Sequence, residues 1–460
     1  MRALPKALAK KGMYVRLVIP KYSRIAEEAK KQMKEVTTGI VNLAWRQLYY
    51  GVEEIKQDGV TVYFIDNEWY FKRDGLYGYG DDDERFAYFC RAVLTMLPKI
   101  GFKPDIIHCN DWHTGLMGVF LKEDFWHDDF YKGIKVIYTI HNLKYQGIYP
   151  PSIMRDIIGL PQELFDNGSL ECDGCVNYMK SGMVYADHIT TVSPSYAQEI
   201  TYPYFGEGLD GYIRDNGEKV TGIINGLDID VYNPETDPYI KSQYSVANAR
   251  AGKRENKDAL RAELGLRIKR GVPMIAMVTR LVEDKGLDLV TRIMDELVDD
   301  DVQLVLVGTG DAGYEEAFRE LARRHPTKVS ANITFNEALA HKVYAAADMF
   351  LMPSRYEPCG LSQLIALRYG AIPIVRETGG LKDTVWPYNE ADETGRGFTF
   401  QSYNADDFLA AIDRALALYY NEPAKWLRLA ENDMAVDSSC NNESRTVDHF
   451  IKKHSGFTCR

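Results

Sequence analysis

Short apolar runs alternate with amphipathic stretches along most of this chain, and from residue 273 onward the alternation is regular. Val302-Gln303-Leu304-Val305-Leu306-Val307 is almost continuously apolar, as a parallel strand covered on both faces should be. The pattern predicts strands at 273–279, 302–308, 328–335, 349–354 and 372–376. Helices at 285–298, 314–324, 336–347 and 361–369 fall between them, and another covers 405–420. Strands alternating with helices imply a doubly wound parallel sheet.

The first half reads less regularly. A helix at 4–11 ends at Gly12 and a strand follows at 14–20. Further strands are expected at 61–66, 105–110, 135–140, 188–193 and 220–225, with a helical stripe at 83–97. These again suggest one parallel sheet with helices on both faces. Asn225-Gly226 opens a turn, and 228–254 is polar with proline turns at Asn233-Pro234 and Asp237-Pro238, which marks a boundary or hinge. The expected division is residues 1–225, 226–436 and a weakly patterned tail, 437–460. The fold class is therefore α/β, with two Rossmann-like doubly wound domains facing across a cleft, a place that favours small-molecule sites.

Composition narrows the function. A net charge of −11 and a pI near 5.4 argue against a nucleic-acid binder and against a basic membrane anchor. No apolar run approaches the roughly 18 residues that span a bilayer, and no signal peptide is visible. Seven cysteines, an odd number, suit a reduced cytoplasmic protein better than a disulfide framework.

Candidate chemistry gathers where predicted strands end, the edge at which open α/β sheets hold ligands. Pro353-Ser354-Arg355-Tyr356-Glu357-Pro358-Cys359-Gly360 joins a strand to a helix and holds one carboxylate, Glu357. It reads either as a catalytic or ligand-holding loop or as an ordinary connection. Arg280 and Lys285 follow an earlier strand and could neutralise a diphosphate. Thr378-Gly379-Gly380 offers a turn where backbone can approach an anion. Gly308-Thr309-Gly310-Asp311 lacks the third glycine of a dinucleotide fingerprint, so NAD is unsupported. In the first half, Asp111 (with His108 and His113) and His141 end two strands. Their spacing does not favour metal. Cys172-Asp173-Gly174-Cys175 has no partner pair for zinc, and the runs Asp81–Asp83 and Asp299–Asp301 read as structural.

Seven stretches together resemble the starch and glycogen synthase family of retaining glycosyltransferases: HCNDWHTGL (108–116), TIHNLKYQG (139–147), TVSPSYAQEI (191–200), INGLDIDVYNPETDP (224–238), RLVEDKGLDL (280–289), PSRYEPCGLSQ (353–363) and RETGGLKDTV (376–385). The resemblance is to the bacterial glycogen synthase branch. It implies type B glycosyltransferase architecture and transfer of glucose from ADP-glucose to the non-reducing end of an α-1,4-glucan, without cofactor or metal. It implies that Arg280 and Lys285 bind the diphosphate and that Gly379 and Gly380 give it backbone donors. Asp111 and His141 would line the glucose and acceptor side, and Glu357 would be the catalytic carboxylate. Asn225, Thr378, Cys359 and Gly360 fall inside the same motifs as substrate-binding positions. Retention through same-face attack and through a covalent Glu357 intermediate both stay open.

Three departures stand out. The family opens with a strand and a Lys-x-Gly-Gly loop ahead of the segment matching 2–10, and this sequence does not contain them. Loss of that strand is expected to leave neighbouring backbone groups unpaired. Asp437-Ser438-Ser439-Cys440 replaces the family's Asp-Phe-Ser-Trp, which puts docking of the closing helix in question. Cys172 and Cys175 look particular to this chain. Two other readings are carried forward: an impaired glucan-binding fragment, and a UDP-sugar enzyme of related architecture. Against the second, Ile365 stands where such relatives often carry a second glutamate.

Overall fold

The computed structural model describes residues 3–440 together with Ser444 and Val447. The chain divides into two units, one built from 1–192, 197–223 and 443–460, the other from 193–196 and 224–442.

In the first unit, β1 (Arg16–Pro20), β2 (Lys34–Leu43), β3 (Arg46–Gln57) and β4 (Val60–Asp66) form a sheet in the order β1-β4-β3-β2. β1 runs parallel to β4, whereas β2, β3 and β4 form an antiparallel meander. A second sheet contains β5 (Ile106–Asn110) and β6 (Lys135–Ile140). Three short strands follow and form a sheet of their own: β7 (Ile148–Tyr149), β8 (Glu171–Cys172) and β9 (Cys175–Asn177). β10 (His188–Thr191) and β11 (Val220–Gly222) then complete the parallel order β11-β10-β6-β5.

The strands expected in a single parallel sheet thus fall into two sheets, and the β2–β3 hairpin and the small β7-β9-β8 sheet are additions. The hairpin's signal was hidden because β2 buries only Val41 and Leu43 and shows Lys34, Glu35, Thr38 and Asn42 to solvent. Such a strand is too polar to appear as an apolar run. The helix Asp82–Lys99 packs against β2 and buries Phe86, Phe89, Val93 and Leu97. β1 and β5 are both terminal strands of their sheets.

The second unit follows the predicted alternation closely. β12 (Met274–Val278), β13 (Gln303–Val307), β14 (Val329–Asn332), β15 (Met349–Met352), β16 (Ile372–Arg376) and β17 (Phe398–Phe400) form one sheet in the order β14-β13-β12-β15-β16-β17. All its pairings are parallel. Successive residues of a strand point to opposite faces, so each strand feeds two cores. Ile275, Met277, Leu304, Leu306, Leu351 and Ile374 pack on one side. Met274, Ala276, Val305, Val307, Phe350 and Val375 pack on the other. The order reverses direction beside β12 and β15, which puts the loops after those two strands at the switch point.

The divergent tail is held at its start. Leu227 donates its N–H to the Ser438 carbonyl at 2.8 Å, and Cys440 donates back to Leu227 at 3.2 Å. A side chain on Gly226 would collide with the Cys440 backbone, at 2.4 Å. Val447 packs with Leu8 and Ile223 in the first unit. The rest of the tail lies outside the described residues. Both acidic runs behave as structural groups: Asp81 pairs with Arg73, Asp82 with buried Arg85, and Asp301 with Lys269. Among the described residues no helix is long and apolar enough to cross a membrane.

A buried polar network fixes the linking segment to the second unit. Asp237 is 1% exposed and accepts hydrogen bonds from Tyr369 Oη (2.5 Å) and the Tyr239 N–H (2.9 Å). His341 Nδ1 lies 2.7 Å from the same carboxylate, and Tyr232 stacks on the His341 ring. Burial alone would raise the Asp237 carboxyl, but the contacts with His341, Tyr369 and Tyr239 outweigh it and hold the pKa below the ordinary range. Asp237→Ala strands these partners in the interior, where each unmade bond costs about 1–3 kcal/mol. The expected outcome is a loss of about 3 kcal/mol or more in denaturant unfolding; a loss within about 0.5 kcal/mol, the size of an ordinary surface change, would contradict it.

Candidate functional site: loops at the carboxyl ends of the strands

Glycines let three loops of the second unit approach one another closely. In the loop after β12, Gly286 adopts φ 72°, and a Cβ there would lie 2.0 Å from the Pro353 carbonyl, beyond the end of β15. The contact is zipped further by Arg355 N–H to the Asp284 carbonyl (2.9 Å) and Tyr356 Oη to Asp284 Oδ2 (3.2 Å). On the other side the loop pairs with the segment after β13. Leu281 N–H donates to Thr309, and Asp311 N–H donates to Leu281. Gly308 and Gly310 sit under the Thr279 and Leu281 carbonyls, at 1.9 and 2.2 Å from where a Cβ would stand. The two glycines of the Gly-Thr-Gly-Asp stretch therefore serve close packing.

This zipping places Lys285 on Glu357, with Nζ to Oε2 at 2.7 Å. Ser354 Oγ donates to the same oxygen at 3.0 Å. The Glu357 residue is 7% exposed, so its carboxylate is largely removed from water and retains a cation and a hydroxyl as partners. Ser354 carried no sequence signal of its own; its position three residues before Glu357 is meaningful only once the loop's turn is known.

The third loop follows β16. Thr378 is buried at the N-terminus of the helix Gly379–Thr384. A Cβ on Gly379 would lie 2.1 Å from the Glu357 carbonyl, and one on Gly380 would lie 2.0 Å from the Cys359 carbonyl. The Gly380 N–H donates to the Glu357 and Pro358 carbonyls, at 3.1 Å each. The Gly380 amide is engaged by the carboxylate loop, and the glycine pair lets the two loops touch. Cys359 is buried, and Gly360 takes φ 71° beneath Gln363, whose Nε2 donates to the Cys359 and Gly360 carbonyls. Those two positions shape the loop. Ser193 Oγ donates to the Pro358 carbonyl, and Ser195 binds Asp383 through both N–H and Oγ. These contacts were not read from sequence. Arg280 is exposed at the end of β12, and Asn225 is half-buried beside the Gly226 turn.

In the first unit, the ends of β5 and β6 bring Asn110, Asp111 and His141 together. Asp111 has φ 56° and ψ 179°, a region used almost only by glycine and costing of the order of 1–3 kcal/mol. Four hydrogen bonds hold it there. Its N–H donates to Thr139, its carbonyl accepts from the Thr114 N–H and Oγ1, and its Oδ1 accepts from the His141 N–H at 2.8 Å. His141 Nε2 lies 2.9 Å from Asn110 Oδ1. Burial raises the Asp111 carboxyl and lowers the His141 imidazole. His108 bonds Thr139 at 2.6 Å and stacks no charge against the site; burial, with His141 nearby, lowers it to about 4. Among the described residues no group of three His, Cys, Asp or Glu side chains is placed to hold a metal ion.

Solved structures share this fold. Sucrose-phosphate synthase from Thermosynechococcus elongatus superposes with a TM-score of 0.59 at 18% identity, over 98% of this chain and 91% of that one, a likeness of fold alone. The catalytic domain of starch synthase IV from Arabidopsis thaliana, bound to ADP and acarbose, matches with a TM-score of 0.93 at 32% identity, over 99% of this chain and 95% of that one. The molecule is thus a two-domain α/β glycosyltransferase by fold. Residues 1–215 match the model of the starch synthase catalytic domain, and 259–432 match glycosyl transferases group 1. A glycogen synthase of Geobacillus thermodenitrificans is 51% identical over 98% of this chain and 93% of its own length. One from Clostridium botulinum is 50% identical over 100% and 95%. The chain belongs to the glycogen synthase family.

The buried histidines make stability depend on pH. His108 and His113 both have pKa values lowered to about 4 from an ordinary 6.5, and burial is the main cause. Between those values the unfolded chain binds more protons than the folded one, so stability rises with pH there. It is fully present above about 6.5 and lost as pH falls toward 4. The unfolding midpoint should therefore drop across this window. Replacing His108 and His113 with non-titrating residues should flatten the dependence; an unchanged slope would refute the assignment.

Proposed function

We propose that this chain transfers glucose from ADP-glucose to the non-reducing end of an α-1,4-glucan, with retention of configuration. The observation that carries the reading is the Lys285–Glu357 contact at 2.7 Å, held by three loops at the switch point of a complete parallel sheet. The relatives support it: they are glycogen synthases by name, and the starch synthase IV structure holds ADP and acarbose.

Cleavage of the glycosyl–phosphate bond builds positive charge at the anomeric carbon and negative charge on the departing diphosphate. Groups complementary to those charges accelerate the step. Lys285 and Arg280 supply the cations for the diphosphate. Lys285 already faces a carboxylate, so its position is set before a donor arrives. Glu357 supplies negative charge against the developing cation. Ser354 and the backbone beneath Gly379 and Gly380 fix the Glu357 loop, and a preorganised charge need not reorganise during the reaction. Asp111 and His141 orient sugar hydroxyls on the acceptor side, and the neutral imidazole favoured by burial suits a hydrogen-bonding role better than a charged one. Asn225 and Thr378 complete the substrate-binding set.

Incorporation of labelled glucose from ADP-glucose into glycogen tests the proposal. Glu357→Gln keeps the shape and removes the charge, and should lower turnover at least about 100-fold with little change in donor KM. Activity within a few-fold of the parent would overturn the role of Glu357. Faster transfer from UDP-glucose than from ADP-glucose would favour the UDP-sugar reading.

A further inference from the structure

Cys172 and Cys175 occupy facing positions that the glycosyl-transfer reading does not use. They are register partners in the antiparallel β8–β9 pair and close a two-residue turn. Asp173 (φ 49°) and Gly174 (φ 76°) both take left-handed angles, the geometry a two-residue hairpin of matched twist demands. The Gly174 N–H donates to Glu171 Oε1 at 2.7 Å and steadies the turn. Directly opposed residues place their Cβ atoms about 4.5–5.5 Å apart, within a small adjustment of the spacing a disulfide needs.

Access separates these two from the other described cysteines. Cys90, Cys109, Cys359 and Cys440 are buried, whereas Cys172 and Cys175 are half-exposed, and these six described cysteines are free thiols. We propose that Cys172 and Cys175 form a reversible dithiol–disulfide site, oxidised by thiol exchange with a small-molecule disulfide such as oxidised glutathione. One protein thiolate attacks a sulfur of the disulfide and expels one thiol. The second protein thiolate attacks the mixed disulfide and expels the other. The protein thus gains one S–S bond and loses two protons and two electrons, and the oxidant becomes two thiols. Burial and the neighbouring Asp173 carboxylate raise the Cys172 thiol, so exchange should quicken with rising pH.

The bond would act locally, because it closes a very short loop. β9 pairs with β7 on its far side and runs into Asn177, which is 1% exposed and donates to Gln146 Oε1 at 2.6 Å. Tyr178 and Met179 then donate their N–H groups to the Gly147 and Gln146 carbonyls. Pinning the hairpin tip therefore steadies the segment that follows His141.

The test uses the full chain, equilibrated with defined ratios of reduced and oxidised glutathione, acid-quenched and alkylated. The tryptic fragment from Asp156 to Lys180 contains these two cysteines and no other. The expected result is a reversible change from a doubly alkylated fragment to one without alkyl groups and lighter by two hydrogens, while the buried cysteines stay reduced. Cys172→Ser should stop at a glutathione adduct on Cys175. Amide exchange at Tyr178 and Met179 should slow in the oxidised form, and unchanged exchange would overturn the coupling. Two free thiols retained in oxidised glutathione alone, or adducts without an internal bond in the parent chain, would overturn the site.

Discussion

The candidate donor site depends on backbone-to-backbone contact between loops that share no strand. Gly286 against Pro353, Gly380 against Cys359, and Gly308 against Thr279 each leave no room for a methyl group. Overpacking at such a place costs about 1–3 kcal/mol and shifts the backbone. The contacts fix where Glu357 lies relative to Lys285, and only a fixed pair can meet developing charge without reorganising. The chemistry assigned to two side chains thus rests on glycines that touch no substrate in the proposal.

The first unit reaches a comparable result by another route. Asp111 is held in a backbone region that costs energy, and four hydrogen bonds, two with Thr114 in the turn after β5 and two with Thr139 and His141 at the end of β6, maintain it. Its carboxylate is thereby committed to the His141 amide, and the two motifs act as one group. Strain of this kind is retained where a side chain must point in a set direction.

Legibility in the sequence followed burial. The second unit was readable because strands such as Gln303–Val307 are covered on both faces and have apolar sequences to match. The β2–β3 hairpin leaves no apolar run in the sequence because β2 is mostly exposed to water and its strands read as polar. Among the site residues, Glu357 and Lys285 stood out as charges at predicted strand ends, but their direct pairing did not, since it depends on the turn at Gly286. The Gly379-Gly380 pair signals close approach, and its contact with the Glu357 and Cys359 carbonyls depends on a loop that no local pattern places beside it. Ser193 and Ser195, which bind the Pro358 carbonyl and Asp383, lie too far along the chain for any local pattern to reveal them.

The most direct test of the account is calorimetric titration of ADP into the parent chain and into Lys285→Met, which keeps the stem and removes the charge. If the loops hold Lys285 for the diphosphate, binding should weaken at least about tenfold, the loss of one charge-assisted contact of about 1.4 kcal/mol or more. Equal affinity in a folded Lys285→Met variant would contradict the account, because the lysine would then serve only to neutralise Glu357.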